Sequence, residues 1–125
     1  MKQQTLTKSE MQVMNILWDL NRGACVNDIL AQYPDPKPAY TTIATFLKIL
    51  TQKGFVEHKK GSGKLLIYLP LITKEKYSRQ VMEEVKNDFF GNSFRSMFSF
   101  FVREEHLTAE EIQELIEQVK KEEKL

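Results

Sequence analysis

The chain has 125 residues, of which 42% are hydrophobic and 28% charged, and its formal net charge is +1. This length accommodates one domain or two small ones, with enough apolar residues for a core. The single cysteine, Cys25, excludes an internal disulfide and a cysteine cluster for zinc or iron–sulfur ligation. Because no apolar run approaches the roughly 20 residues of a membrane span and the polar start lacks the apolar stretch of a signal peptide, we expect a cytoplasmic protein without membrane insertion.

The charges are unevenly distributed along the chain. Residues 1–72 contain nine Lys/Arg against five Asp/Glu, a balance of +4. Residues 73–125 contain nine against twelve, a balance of −3. The first part of the chain is therefore basic and the second part acidic.

The first helix is marked by a capping box. Thr7 and Glu10 have the spacing at which each side chain accepts a hydrogen bond from the backbone N–H of the other. Apolar residues then recur to about Asn21, and Gly23 is predicted to end the helix. The apolar arc of this helix is broad, which indicates a central place in the fold.

A brief second helix is predicted before a proline-rich turn. Residues 24–26 are too short for a helix and are interpreted as a strand that joins a small sheet. Asn27 or Asp28 then caps a helix that runs through Tyr33, and prolines 34, 36 and 38 end it. Two helices separated by a stiff turn are the outline of a helix-turn-helix.

The third helix, residues 40–54, has two different faces. Its buried stripe is predicted to be Ile43, Phe46, Leu47 and Leu50. The opposite face consists of Thr41, Thr45, Lys48 and Gln52, which are polar or cationic and include no carboxylate. A solvated helix face usually mixes Glu and Lys, so this composition favours contact with a polyanion, and a merely exposed helix is the alternative.

A basic hairpin follows the third helix. Residues 55–60 alternate in polarity, glycines 61 and 63 mark a turn, and residues 64–69 form a β-prone apolar run. Lys59, Lys60 and Lys64 lie close to the turn and are interpreted as phosphate contacts, with plain solvated charge as the alternative. Three helices, a short strand and this hairpin predict a winged helix domain over residues 1–72.

The second part of the chain is predicted to be helical and to pair with another copy. Thr73 caps a helix that is interrupted at Gly91, residues 93–103 follow, and a second capping box starts the last helix. A unit of about 50 residues cannot easily bury its six phenylalanines alone, so residues 73–125 are interpreted as a dimerisation domain. Its predicted contact residues are Tyr77, Val81, Val85, Phe89, Phe94, Phe98, Phe101, Ile112, Leu115, Ile116 and Val119. The predicted fold is mainly α with a small β-hairpin: a winged helix-turn-helix domain followed by a three-helix dimerisation domain.

Four segments of the chain resemble the penicillinase repressor family, which includes the methicillin-resistance and copper-responsive repressors of bacteria. They are residues 6–18, residues 40–47 with the sequence Tyr-Thr-Thr-Ile-Ala-Thr-Phe-Leu, residues 53–56 with the sequence Lys-Gly-Phe-Val, and residues 107–115. The resemblance implies a homodimeric repressor that occupies an inverted-repeat operator until an inducing signal removes it.

The resemblance also implies a route of induction. In the penicillinase branch, a membrane-bound metallopeptidase senses a β-lactam, and the repressor is then cut at an Asn-Phe bond in its dimerisation domain. The matching bond here is Phe100–Phe101, so the asparagine is absent. Ile49 stands where relatives commonly carry arginine, and the paired-cysteine tail of the copper-responsive branch is missing, so copper sensing is not expected.

The predicted partner is a palindromic double-stranded DNA, read by the third helix in the major groove. Thr41 and Thr42 are assigned to a phosphate at the start of the helix, and Ala44 and Thr45 to base edges or a thymine methyl group. Lys48 is assigned to a guanine or a phosphate. The residues assigned to the DNA backbone on either side are Lys37, Lys59, Lys60 and Lys64.

Enzyme function is not predicted, and neither a cofactor nor a metal is expected. Two histidines that are far apart in sequence, one cysteine, no HExxH motif and no glycine-rich phosphate loop offer no catalytic or metal-binding constellation. The alternative that remains open is a winged helix used only for protein contacts, without specific DNA binding.

Overall fold

The computed structural model describes residues 5–123, and this part of the chain contains six α-helices and one antiparallel β-hairpin. The predicted fold class, mainly α with a small hairpin, is therefore confirmed. The elements are α1 (Lys8–Leu20), α2 (Val26–Leu30), α3 (Tyr40–Gln52), β1 (Val56–Lys60), β2 (Leu66–Pro70), α4 (Lys74–Phe90), α5 (Phe94–Glu104) and α6 (Ala109–Glu123). Within residues 5–123, no helix is both long enough and apolar enough to cross a membrane.

The described chain divides into two compact units, one that extends to Gln80 and one that begins at Val81. The division falls inside α4, so the first turns of this helix belong to the first unit and its later turns to the second. The assignment of residues 1–72 to DNA binding and of 73–125 to dimerisation stays a prediction.

The first unit has a winged helix architecture, with α1, α2 and α3 packed around one core beside the hairpin. Its fully buried large side chains come from all three helices and from the start of the hairpin. Trp18 lies at the edge of this core, where its indole N–H donates a hydrogen bond to the carbonyl of Ile72 at 2.9 Å. The fully buried side chains are Val13, Met14, Leu17, Ile29, Ile43, Leu47, Leu50, Phe55 and Val56.

Helix α1 begins as predicted and ends at Leu20, close to the predicted end at about Asn21, but the residue that ends it is not Gly23. The Thr7 hydroxyl accepts from the N–H of Glu10 at 3.2 Å, and the Glu10 carboxylate accepts from the N–H of Thr7 at 3.0 Å. Asn21, with φ of 52°, ends the helix in the left-handed conformation that Asn tolerates better than most residues. Gly23 instead allows the Ile67 side chain of β2 to approach the backbone closely, because a Cβ atom at Gly23 would lie 2.5 Å from Cγ2 of Ile67.

The segment between α1 and α2 is a single bridge, so the predicted strand over residues 24–26 is wrong. Ala24 exchanges both backbone hydrogen bonds with Tyr68 of β2, at 3.0 and 2.8 Å. Val26 already belongs to α2, whose cap is Cys25 and not Asn27 or Asp28. The Asp28 carboxylate reaches back to accept from the Cys25 N–H at 3.1 Å. Helix α2 also ends at Leu30, before Tyr33.

A nearly buried ion pair joins the start of α1 to the end of α3. The Lys53 ammonium lies 2.7 Å from a carboxylate oxygen of Glu10, whose side chain is only 6% exposed. Burial opposes ionisation of this carboxyl, but hydrogen bonds from Lys53 and from the Thr7 N–H outweigh it and lower the pKa of Glu10 below its usual value. The pair therefore fixes α3 relative to α1.

The second unit consists of the later part of α4 followed by α5 and α6. Gly91 and Asn92, with φ of 57° and 61°, break the chain between α4 and α5 as predicted. Ser93 caps α5, and Thr108 forms the predicted capping box of α6 with Glu111. Met97 is the one buried side chain among the described residues from 81 to 123. A core this small leaves most apolar side chains of the unit in contact with solvent.

Candidate nucleic-acid interface

The outward face of α3 is a polar surface without a carboxylate. Thr41, Thr42, Thr45 and Lys48 are exposed on it, and Ala44 is half-buried between them. The opposite face is buried except for Phe46, which is half-buried, so the two predicted faces are confirmed. No acidic residue occurs anywhere in α3. This surface can therefore approach a polyanion without charge repulsion from its own helix.

The first turn of α3 has no side-chain cap. Its cap residue is Ala39, whose carbonyl accepts from the N–H groups of Thr42 and Ile43 at 3.1 and 3.3 Å. An alanine side chain cannot accept a hydrogen bond, so the preceding N–H groups of Tyr40 and Thr41 remain at the positive end of the helix dipole. An uncapped start of this kind is suited to an anion such as a DNA phosphate.

The geometry of Thr45 restricts what it can recognise. Its hydroxyl donates to the carbonyl of Thr41, one turn earlier, at 2.9 Å. The hydroxyl proton is thus used within the helix, and the side chain retains an acceptor lone pair and a methyl group. These two groups suit a base amino group or a thymine methyl, and the base contact of this residue stays a prediction.

The hairpin presents its lysines on different sides. Lys59 pairs with Ile67 and Lys60 with Leu66, and the turn closes through a hydrogen bond of 2.7 Å from the Gly61 N–H to the Leu65 carbonyl. Because successive side chains of a strand point to opposite faces, Lys59 and Lys60 cannot both face one surface. A single docked DNA would therefore meet one of them directly and the other at the hairpin edge.

A shallow cavity of about 340 Å³ separates the start of α3 from the hairpin tip. Tyr40 lies on one side of it and Lys64 with Leu65 on the other. Tyr40 is 53% exposed, and sequence reasoning did not assign it to the site. The sequence did contain a signal for Tyr40, because this aromatic residue directly follows Ala39, which cannot cap the helix with its side chain. Burial, and secondarily the nearby Tyr40 hydroxyl, raises the pKa of Tyr68 on β2 above its usual value.

Lys37 has contacts within its own chain. Its ammonium donates to the carbonyl of Tyr33 at 2.5 Å and lies 3.5 Å from the carbonyl of Ala31, just past the end of α2. Cations are favourable at this end of a helix. A phosphate contact of Lys37 would compete with these bonds, and its predicted role in gripping DNA stays a prediction.

The second unit exposes a large apolar surface. Phe89 is 77% exposed, and Phe100 lies between Phe90 and Phe101, with ring centroids 5.4 and 5.6 Å away. Val81, Val85 and Ile112 of the predicted contact set are half-buried. Its exposed members are Phe89, Phe94, Phe98, Phe101, Leu115, Ile116 and Val119.

Tyr77, the remaining member of the predicted dimer set, lies in the first unit and is buried there. Its hydroxyl accepts from the Leu6 N–H at 2.9 Å, and its ring packs on Phe55 and Trp18 at 5.6 and 6.2 Å. These contacts within one chain explain why Tyr77 belongs to the apolar repeat of α4.

Residues 6–121 match the sequence profile of the penicillinase repressor family, which is almost the whole chain. The chain belongs to this family. Methicillin resistance regulatory protein MecI of Staphylococcus aureus (strain N315) is 30% identical over 111 residues, which cover 88% of this chain and 89% of the relative. The penicillinase repressor of Bacillus licheniformis is 28% identical over 111 residues, covering 88% of this chain and 85% of the relative. The penicillinase repressor of Staphylococcus aureus is 26% identical over 115 residues, covering 91% and 90%.

Membership of the penicillinase repressor family confirms the resemblance seen in the sequence and makes the chain one of a family of repressors. The fold and the polar face of α3 are compatible with membership of a family of repressors.

The Phe100–Phe101 peptide bond, which the sequence resemblance predicts as a cleavage position, lies inside α5. Both side chains are partly exposed, at 40% and 44%. Proteases bind extended backbone, so α5 would have to unwind locally before this bond could be cut.

No group of three or more His, Cys, Asp or Glu side chains suited to a metal ion occurs in the described range 5–123. Cys25 is a half-buried free thiol at the start of α2. Cys25 lines the cavity between α3 and the hairpin tip, together with Lys64.

Proposed function

We propose that this member of the penicillinase repressor family is a transcriptional repressor that binds a palindromic DNA operator as a homodimer. It acts in the cytoplasm, where bacterial DNA lies, and has no catalytic activity or cofactor of its own. The first unit contacts the bases and the backbone of the DNA, and the second unit mediates dimerisation.

The composition and exposure of the α3 face carry this proposal. Thr41, Thr42, Thr45 and Lys48 form an exposed surface without a carboxylate, and the uncapped helix start offers backbone N–H groups to a phosphate. The exposed lysines near the hairpin tip supply further cations, with Lys59 and Lys60 on opposite faces of β1. Side chains that contact bases then lie between groups that contact phosphates. In protein–DNA interfaces the phosphate contacts position the protein and the base contacts determine sequence specificity.

Dimerisation is supported by the apolar surface of the second unit. A unit with one buried side chain and several exposed phenylalanines gains most by burying them against an identical surface. The dimer would place two α3 helices in successive major grooves, about 34–36 Å apart, and an inverted-repeat operator mirrors this two-fold symmetry.

Release from the operator is proposed to follow loss of the dimer. A membrane-bound sensor metallopeptidase, or a protease that it activates, would cut the Phe100–Phe101 bond in response to a cell-wall antibiotic. The cut would fall among the packed rings of Phe90, Phe100 and Phe101 and so disrupt the apolar surface that joins the copies.

The roles of α3 and the hairpin can be separated by mutation. Thr45→Ala or Lys48→Ala should cost roughly 1–3 kcal/mol on the operator, with little change on random DNA, because base contacts are lost. Lys60→Ala should weaken binding to both DNAs alike and reduce the salt slope by about one unit. Lys76→Ala, which removes an exposed lysine outside this interface, is the matched control.

Fluorescence anisotropy on labelled operator and random duplexes, at several salt concentrations, measures both effects. The alternative function, a winged helix for protein contacts only, predicts weak binding without sequence preference. Equal effects of Thr45→Ala and Lys60→Ala on both DNAs would contradict the proposal that α3 contacts bases and the hairpin contacts phosphates.

A further inference from the structure

A second concave surface lies in the first unit and shares no lining residue with α3 or the hairpin tip. It is a cavity of about 440 Å³ between the end of α1 and the segment that joins β2 to α4. Ligand sites for small molecules typically measure about 300–1,000 Å³. The cavity is thus within the size range for a molecule of one or two rings.

Most residues that line the cavity are apolar, and Asn21 and Thr73 add neutral polar groups. Leu17 and Ile72 are buried core residues, and Leu69 also lines the cavity. The Trp18 indole is fixed by its hydrogen bond of 2.9 Å to the Ile72 carbonyl and by packing on the Tyr77 ring. A fixed indole provides a flat surface against which an aromatic ring can pack without further ordering of the protein.

The charged residues that line the cavity are both cations. Arg22 and Lys74 contribute to the lining, and no Asp or Glu does. The Arg22 guanidinium uses Nη1 for both of its contacts, a hydrogen bond of 3.0 Å to the Gly23 carbonyl and an ion pair of 3.3 Å with the Asp28 carboxylate. Because a guanidinium has five N–H donors, these two contacts leave the donors of Nη2 and Nε for another carboxylate. A cavity lined mainly by apolar residues, with two cations and no carboxylate, complements a ligand that is apolar with one negative charge.

We propose that this cavity binds a small aromatic carboxylate. The ring system packs against Trp18 and Leu69, and the carboxylate pairs with Arg22 and Lys74. The bound ligand connects α1 to residues 69–74, which lead into α4, and therefore stabilises the first unit against unfolding by mass action. This inference does not depend on DNA binding.

The test uses the full chain labelled with ¹⁵N and the probe 2-naphthoate, with the uncharged 2-naphthamide for comparison. Trp18 is the only tryptophan, so its indole N–H gives a single resonance that reports on the cavity. We expect 2-naphthoate to shift this resonance in a saturable manner, to raise the Tm, and to bind about tenfold more tightly than 2-naphthamide.

The double variant Arg22→Gln/Lys74→Gln should lose about tenfold or more in affinity for 2-naphthoate and keep its affinity for 2-naphthamide. Lys74→Gln alone, which leaves the Arg22–Asp28 pair intact, should show a smaller loss in the same direction. The matched control Lys76→Gln/Arg79→Gln removes the same charge near the start of α4 but outside the cavity, and should bind as the wild type does.

Three results would overturn the inference. The first is an unmoved Trp18 resonance at saturating probe, or shifts confined to residues 89–101 in the second unit. The second is equal binding of the two probes. The third is an equal loss of affinity in the cavity variant and in the control variant.

Discussion

Replacing Lys53 with methionine tests whether the pair between α1 and α3 is as buried as the structure indicates. The variant leaves the Glu10 carboxylate, 6% exposed, without its cation. Breaking a fully buried pair costs about 3–5 kcal/mol. The Lys53 side chain is 20% exposed, and the Thr7 N–H still bonds the carboxylate at 3.0 Å, so we expect a smaller cost of about 2–3 kcal/mol near neutral pH.

The cost of Lys53→Met should decrease as the pH falls. In the wild type the pKa of Glu10 is lowered, so its contribution is fully present above the unfolded-state value of about 4.3 and is lost as the pH falls through the folded-state pKa. In the variant, burial without a cation raises the pKa of Glu10, and the carboxyl becomes neutral at a higher pH. Near pH 3 the difference between the two proteins should therefore shrink to under about 1 kcal/mol.

Urea unfolding followed by the fluorescence of Trp18, which lies in the same unit, measures this difference. Arg79→Met is the matched control, because the Arg79–Glu75 pair at 3.2 Å is 68% and 83% exposed and such pairs contribute little, roughly 0–1 kcal/mol. A cost of Lys53→Met no larger than that of Arg79→Met, or one that stays constant on acidification, would refute the reasoning.

Two further predictions concern packing and assembly. Gly23→Ala should lower stability by about 1–3 kcal/mol in thermal denaturation, because the new Cβ meets Cγ2 of Ile67 at 2.5 Å; in an Ile67→Ala background most of that cost should vanish, and simple additivity of the two changes would argue against the contact. Phe98→Asp or Leu115→Asp, each at an exposed apolar site of the second unit, should yield monomers in sedimentation velocity and weaken operator binding. A dimer that survives both substitutions would place the interface elsewhere.

Local signals in the sequence predicted much of this fold. Each capping box depends on two residues three positions apart, so Thr7 with Glu10 and Thr108 with Glu111 could be read directly. The two faces of α3 follow from periodicity in the same way. The burial of the apolar stripe and the exposure of the polar face agree with that prediction.

The errors arose where tertiary contacts decide between local options. Ala24 pairs with Tyr68, a partner distant in sequence, while the next residues already belong to α2, so a short apolar run was misread as a strand. Asn21 ended α1 before Gly23 could, and the glycine serves packing against β2 instead. Periodicity likewise marks Tyr77 as apolar but cannot say that its ring packs on Phe55 of the same chain.

The candidate site was predictable in composition but not in geometry. The threonines and lysine of α3 could be selected because no carboxylate accompanies them. The position of Tyr40 opposite Lys64 depends on how the hairpin folds against α3, which no local pattern encodes. The opposite orientation of Lys59 and Lys60 follows from side-chain alternation along a strand and was accessible from the predicted hairpin.

Selection of bound duplexes from a random DNA pool is the most direct test of the proposed function. Repeated rounds with the purified full chain, followed by sequencing, should enrich an inverted repeat whose half-sites are about one helical turn apart, bound by two chains per duplex. The variant Thr45→Ala should lose preference at one position in each half-site. Recovery of no motif, or of a single unrepeated motif bound by one chain, would contradict the account.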